Sequence, residues 1–120
     1  MHIIKNFKYA MIGLIHILKS ERNARIHLAV AVIVSIAAIV LDLPATEMVA
    51  IFFAIMTVFI AEIFNTAIEK TLDLVHPGES PKVALIKDMA AGAVLVTAVG
   101  SAIMGFVIFM PYVLDILWTR

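Results

Sequence analysis

Apolar residues fall into three long blocks along this chain, at about positions 26–43, 48–67 and 89–114. Each is long enough to cross a bilayer, which takes about 20 helical residues. In hydrocarbon every backbone polar group must find an internal partner, and three strands could not close a barrel, so the blocks are predicted helices. The first ends at Asp42 and Pro44, and the third carries Pro111 near its far end. Segment 1–22 has another pattern. At about 100° per residue, Ile3, Ile4, Phe7, Met11, Leu14, Ile15 and Leu18 gather on one side, with only Ile12 misplaced. Lys5, Lys8, His16 and Lys19 lie opposite. A basic amphipathic helix ahead of a span lies in the membrane interface, where a plain anchoring role would explain it equally well. The pattern therefore predicts an all-α membrane protein of one domain, 1–120, with an N-terminal amphipathic surface helix and three transmembrane helices.

Composition supports lipid as the solvent. Of 120 residues, 63% are apolar and 15% charged, against about 45–50% and 25% in soluble domains; mean hydropathy is +1.08. So short a chain could not bury that much apolar surface internally. Nine basic and nine acidic side chains cancel, which argues against nucleic acid as a partner. Without cysteine there is no disulfide, thiol nucleophile or thiolate metal site. The N-terminus, broken by Lys5, Lys8, His16 and Lys19, does not read as a cleaved signal. No internal repeat or Gly-rich phosphate loop appears, so a nucleotide site would have to be built from side chains on helices.

Basic residues give the spans a direction. Lys5, Lys8, Lys19, Arg22 and Arg25 precede the first block, and Lys70, Lys82 and Lys87 lie between the second and third. The short link 42–47 has none, and only Arg120 opposes the trend. The positive-inside tendency puts the N-terminus in the cytoplasm and the C-terminus outside, as a multi-pass protein of the cell's inner, cytoplasmic membrane.

The second block departs from a passive span at its cytoplasmic end. With Glu62 at zero, helical geometry sets Asn65 at about −60°, Glu69 at about −20° and Asp73 at about +20°. Ile63, Ile68 and Leu72 fall off this arc. A carboxylate within a span costs about 2.5–3.5 kcal/mol on insertion scales. Helix–helix hydrogen bonding could use such groups, but a plain Asn would do that without the charge, and the stripe continues into water. Glu62 lies about 7 Å inside the membrane boundary and Glu69 about 10 Å further along the axis. Glu62 is placed to meet a lipid-borne hydroxyl; Glu69 and Asp73 are placed to meet a soluble cationic group such as Mg²⁺ on a nucleotide. Two further clusters share this side. Glu21 and Arg25 stand at i, i+4, where a structural ion pair is an equal reading. Lys87-Asp88 opens the third block; Lys87 suits phosphate oxygens and also suits simple positive-inside flanking.

Glu62-Ile-Phe-Asn-Thr-Ala-Ile-Glu69, then Asp73, then Lys87-Asp-Met-Ala-Ala-Gly-Ala-Val94 resembles the signature of the prokaryotic diacylglycerol kinase / undecaprenol kinase family. The likeness spans nearly the whole chain, including Tyr9, Gly13 and the Glu21 segment. It implies a homotrimer of three-span subunits that uses MgATP to phosphorylate a membrane lipid alcohol. By that resemblance Glu62 is the general base and meets the lipid substrate, and Glu21 and Glu69 hold Mg²⁺. Tyr9, Glu21, Asn65, Glu69, Asp73, Lys87 and Asp88 attend ATP, with sites shared between subunits. The family's N-terminal Arg has no counterpart here, where His2 stands. Glu21-Arg-Asn-Ala-Arg-Ile-His27 and Ala90-Ala-Gly-Ala-Val94 resemble the undecaprenol branch more than the diacylglycerol branch.

The expected activity is thus an ATP-dependent lipid kinase making undecaprenyl phosphate or phosphatidic acid. The competing reading is a non-catalytic membrane protein, either a proton-coupled carrier subunit or an assembly factor. A carrier would place ionisable groups near mid-membrane, whereas here they gather on one side. Three helices cannot enclose the polar arc and also surround a nucleotide, so a homo-oligomer is predicted. Ala61, Thr66, Ala67, Ala90, Ala91, Gly92, Ala93 and Ala98 offer small surfaces for close helix approach.

Overall fold

The computed structural model describes residues 2–119; Met1, the first residue of the expected surface helix, and Arg120, the one charge against the topology, lie outside them. Four helices follow in order: α1 (His2–Ser20), α2 (Arg22–Val40), α3 (Ala45–Val75) and α4 (Pro81–Trp118). There is no strand among the described residues. The last three are long and apolar enough to cross a membrane.

Each break has a local cause. Glu21 takes an extended conformation, φ −108° and ψ 117°, which ends α1 and starts α2. Arg25 steadies this corner: its Nη1 donates to Leu18 O at 3.1 Å and Lys19 O at 2.9 Å, capping the open carbonyls of α1. The i, i+4 ion pair with Glu21 does not form; neither of the two ion pairs among the described residues includes Glu21. Between α2 and α3, Asp42 adopts a left-handed φ of 53°, which a short polar side chain tolerates. Leu43 N–H then reaches back to Ala38 O at 3.1 Å, closing the end of α2 while the Leu43 side chain turns inward. Pro44 sets the start of α3.

The helices outrun the apolar blocks. α3 has 31 residues, about 46 Å at helical rise, against a hydrocarbon core of about 30 Å. Its excess carries Glu69 and Asp73 beyond the apolar block. α4 begins at Pro81, before the apolar block, and Pro111 sits inside it.

α4 packs chiefly along α3, α2 meets α3, and α1 meets α2. Ala24, Ala31 and Ala38, seven residues apart, form the buried stripe of α2, and small side chains let backbones approach. Thr66 and Ala90 are buried, whereas Ala67, Ala91 and Ala93 remain exposed. A small core of Ala38, Leu43 and Ile51 sits by the α2–α3 link, backed by Ile108, Phe109 and Tyr112 of α4. Accessible surface totals 9098 Å², where a soluble monomer of this size would show about 6,400 Å². No residue of α1 is buried.

Candidate active site

The polar chemistry concentrates on two turns of α3. Glu62 is 2% exposed, Asn65 8% and Thr66 2%, in a chain that buries few side chains of any kind. Three of their atoms, Glu62 Oε2, Asn65 Oδ1 and Thr66 Oγ1, are buried without a hydrogen-bond partner. A buried group left unpaired costs about 1–3 kcal/mol, so three on adjacent turns mark a place where the fold holds hydrogen-bonding capacity in reserve.

Groups from two neighbouring segments converge on Glu62. His27 of α2 brings its Nε2 to 3.9 Å from Glu62 Oε2, an ion-pair separation too long for a hydrogen bond. Glu21 and Glu69 lie within electrostatic reach of the same carboxylate. The buried Ala24 explains the approach, since this face of α2 carries almost no side chain to hold His27 and Glu21 away from α3. One turn on, Asn65 Nδ2 donates to Glu69 Oε1 at 3.4 Å. The extended backbone at Glu21 leaves its carboxylate half-buried, accepting only from Ser20 Oγ at 3.5 Å.

Beyond the apolar block Lys87 of α4 donates to Asp73 Oδ1 of α3 at 2.7 Å. That hydrogen bond lifts the Lys87 pKa above the ordinary lysine value. The ammonium is therefore fully charged below the ordinary lysine range, and the pairing fades only as pH climbs through the raised value. Tyr9, 66% exposed on α1, and Asp88, exposed on α4, make no side-chain hydrogen bond or ion pair within the chain among the described residues.

The expected Mg²⁺ sites can be tested by their donors. No three His, Asp or Glu groups among the described residues are arranged to hold a metal ion. Mg²⁺ keeps several waters and is held through one or two carboxylates together with substrate phosphates. Glu21 and Glu69 are two carboxylates that both lie within electrostatic reach of Glu62, each with one oxygen not engaged among the described residues, and so fit that requirement.

An apolar cleft of about 370 Å³ runs between α2, α3 and α4, lined by residues including His27, Val34, Val58, Phe59, Ser101 and Phe106. Ser101 is already engaged, its Oγ donating to Ala54 O at 3.1 Å. The other polar side chain on the cleft wall is His27, which leads to Glu62. Sequence reasoning had not placed His27 or Thr66 in the site. The signal for His27 was a lone imidazole opening an apolar block; Thr66 lies at about +40° on the polar arc but carries no charge to draw notice.

A helical protein with three membrane-length apolar helices, a buried acid 3.9 Å from a histidine on the wall of an apolar cleft, and acidic and basic groups nearer water has the make-up of an enzyme that works where lipid meets solvent. The chain matches the prokaryotic diacylglycerol kinase family over residues 8–109. It is 41% identical over 107 residues to an undecaprenol kinase of Bacillus subtilis, covering 89% of this chain and 87% of that one. It is 34% identical over 117 residues to a diacylglycerol kinase of Synechocystis sp., covering 97% of this chain and 67% of that one. The chain belongs to the prokaryotic diacylglycerol kinase family and is a membrane lipid kinase.

Proposed function

We propose that the chain transfers the γ-phosphate of MgATP to undecaprenol, giving undecaprenyl phosphate. The observation that carries this reading is the placement of Glu62, a carboxylate 2% exposed with one oxygen unpartnered, 3.9 Å from His27, which lines the apolar cleft. A polyprenyl chain lying in that cleft brings its terminal hydroxyl to Glu62. Glu62 accepts the hydroxyl proton as the oxygen attacks the γ-phosphorus; the new O–P bond forms, the bond to ADP breaks, and the proton leaves by way of the carboxylate. His27 holds the carboxylate in place from the side of α2.

Asn65 orients Glu69, while Lys87, Asp73, Asp88 and Tyr9 attend the nucleotide. Lys87 is tethered by Asp73 as a fixed positive charge that suits phosphate oxygens. Glu21 and Glu69 would hold Mg²⁺, which when bound neutralises charge on the phosphates.

The working unit in this reading is a homotrimer in the cytoplasmic membrane, with N-termini inside and C-termini outside. Supporting it are the large uncovered apolar surface, the one-sided distribution of Lys and Arg and the lack of a side-chain partner for Tyr9 and Asp88 among the described residues. α1 then lies as an amphipathic helix in the interface. Diacylglycerol is the second acceptor to consider, favoured by the relative of that name. Purified protein in mixed micelles should consume ATP when undecaprenol is supplied, and more slowly with diacylglycerol. A preference for diacylglycerol would reverse the substrate; dependence on neither lipid would remove the reading.

A further inference from the structure

We propose that Thr66 contacts the phosphoryl group in transit, its hydroxyl donating a hydrogen bond to a phosphoryl oxygen; this role rests on the phosphotransfer reading above. Five other aliphatic hydroxyls on α2, α3 and α4 set the comparison. Ser35 donates to Ala31 O at 2.7 Å, Thr57 to Phe53 O at 2.6 Å, Thr71 to Ala67 O at 2.7 Å and Thr97 to Val94 O at 2.9 Å. Ser101 crosses to Ala54 O. Each uses a backbone carbonyl, the ordinary recourse of a hydroxyl on a membrane helix. Thr66 has the carbonyl of Glu62 at the same i−4 position and does not use it; its Oγ1 is unpartnered in a side chain only 2% exposed.

Donor and acceptor chemistry then separates the three orphaned atoms. Glu62 Oε2 is an acceptor when ionised, and Asn65 Oδ1 is an acceptor only. Asn65 Nδ2 gives one of its two hydrogens to Glu69. An anionic phosphoryl group needs donors, and of the three atoms Thr66 Oγ1 alone can act as one while Glu62 stays ionised. Its axial position agrees. Helical rise puts Thr66 about 6 Å beyond Glu62 toward water and about 4.5 Å short of Glu69, within about 60° of both around the axis. It therefore stands between the acceptor end of the site and the nucleotide end. The hydroxyl keeps its proton throughout; the proton released by the lipid goes to Glu62.

The test compares Thr66→Val, which keeps the shape and removes the donor, with Thr66→Ser, which keeps the donor. Both are made in the full chain and assayed in mixed micelles with MgATP and undecaprenol, beside Glu62→Gln. Thr66→Val is expected to lower kcat by about 100-fold, as loss of one directed donor does. Its KM for ATP and for lipid should stay within about threefold, and its melting temperature should hold or rise because an unpaired hydroxyl has gone. Thr66→Ser should keep kcat within about threefold of wild type. A Thr66→Val enzyme within about twofold of wild-type kcat, with Glu62→Gln inactive, overturns the Thr66 role and leaves the phosphotransfer reading standing. Equal loss in Thr66→Ser and Thr66→Val, with lowered melting temperatures, makes Thr66 a packing residue and overturns it too. An active Glu62→Gln removes the underlying reading and this proposal with it.

Discussion

The two ends of the helix bundle treat polar groups in opposite ways. By the α2–α3 link, Tyr112 donates to Glu47 Oε2 at 2.7 Å, the left-handed Asp42 lets Leu43 close α2, and Ala38, Leu43 and Ile51 pack together. Nothing buried there is left unpaired among the described residues. At the Glu62 end all three orphaned atoms sit within two turns, and His27 comes to ion-pair distance of Glu62 without closing a hydrogen bond. The same helices serve both regions, so helix packing alone does not account for the difference. A bundle under selection for stability alone would satisfy both ends. Here one end is completed internally, and the other keeps acceptors and a donor open to something outside the chain.

The comparison breaks most visibly at Glu62. Replacing it with Gln keeps the shape and removes the basic oxygen, so lipid-dependent ATP consumption should fall by about 10²–10⁴-fold, with unchanged assembly and melting temperature. Activity within a few-fold of wild type would make Glu62 another structural polar group, like Glu47.

A smaller effect is expected one step toward water. Glu21→Gln and Glu69→Gln should each raise the Mg²⁺ needed for half-maximal rate by about one to two orders of magnitude, the worth of one charged contact. The KM for lipid should hardly move, and high Mg²⁺ should restore part of the rate. Mixing Glu62→Gln subunits with Glu21→Gln subunits before reconstitution sharpens the point: recovered activity means that one site draws on two chains, whereas full activity in a monomer excludes sharing.

Further along α3, Asp73→Ala removes both the hydrogen bond and the negative charge that raise the Lys87 pKa. The raised value keeps the ammonium charged to higher pH than an ordinary lysine. The variant should lose ATP affinity at lower pH than wild type on an alkaline titration, and a KM-against-pH series reads this directly. Coincident alkaline limbs would show that Lys87 does not set nucleotide affinity.

The smallest change belongs to the opposite end. Tyr112→Phe removes one hydrogen bond to Glu47 and should cost about 1 kcal/mol of stability, seen as a modestly lower melting temperature, while kcat stays at the wild-type value. A fall in kcat without a fall in stability would tie the two ends together.

Periodicity and hydropathy were enough to read three apolar helices, because a bilayer allows little else for runs of that length. They could not locate the helix ends: from Glu69 to Val75 the chain is polar enough for water yet holds a helical register, and only the continued backbone hydrogen bonding places the stop at His76. The candidate site was legible as far as charge marked it. Glu62, Asn65, Glu69 and Asp73 stood out because polar residues in one arc of a span are costly. His27, 35 positions from Glu62, joins the candidate site only through the approach of α2, which Ala24 permits. Arg25 had an equally good local partner in Glu21, yet tertiary geometry sends it to the carbonyls of α1. Thr66 escaped notice because a threonine in a span normally satisfies itself.

α3 runs unbroken from Ala45 to Val75, and this makes it a ruler as well as a support. Glu62 and Glu69 are joined by two turns of continuous helix with no Pro or Gly between them, so their separation is a property of the peptide bond and not of the surroundings. A thicker or thinner bilayer, answered by tilt, shifts both carboxylates together relative to the headgroups. On the proposed mechanism, what the membrane can alter is how deep the lipid hydroxyl must travel to reach Glu62; the span from that hydroxyl to the nucleotide end would stay calibrated by the helix.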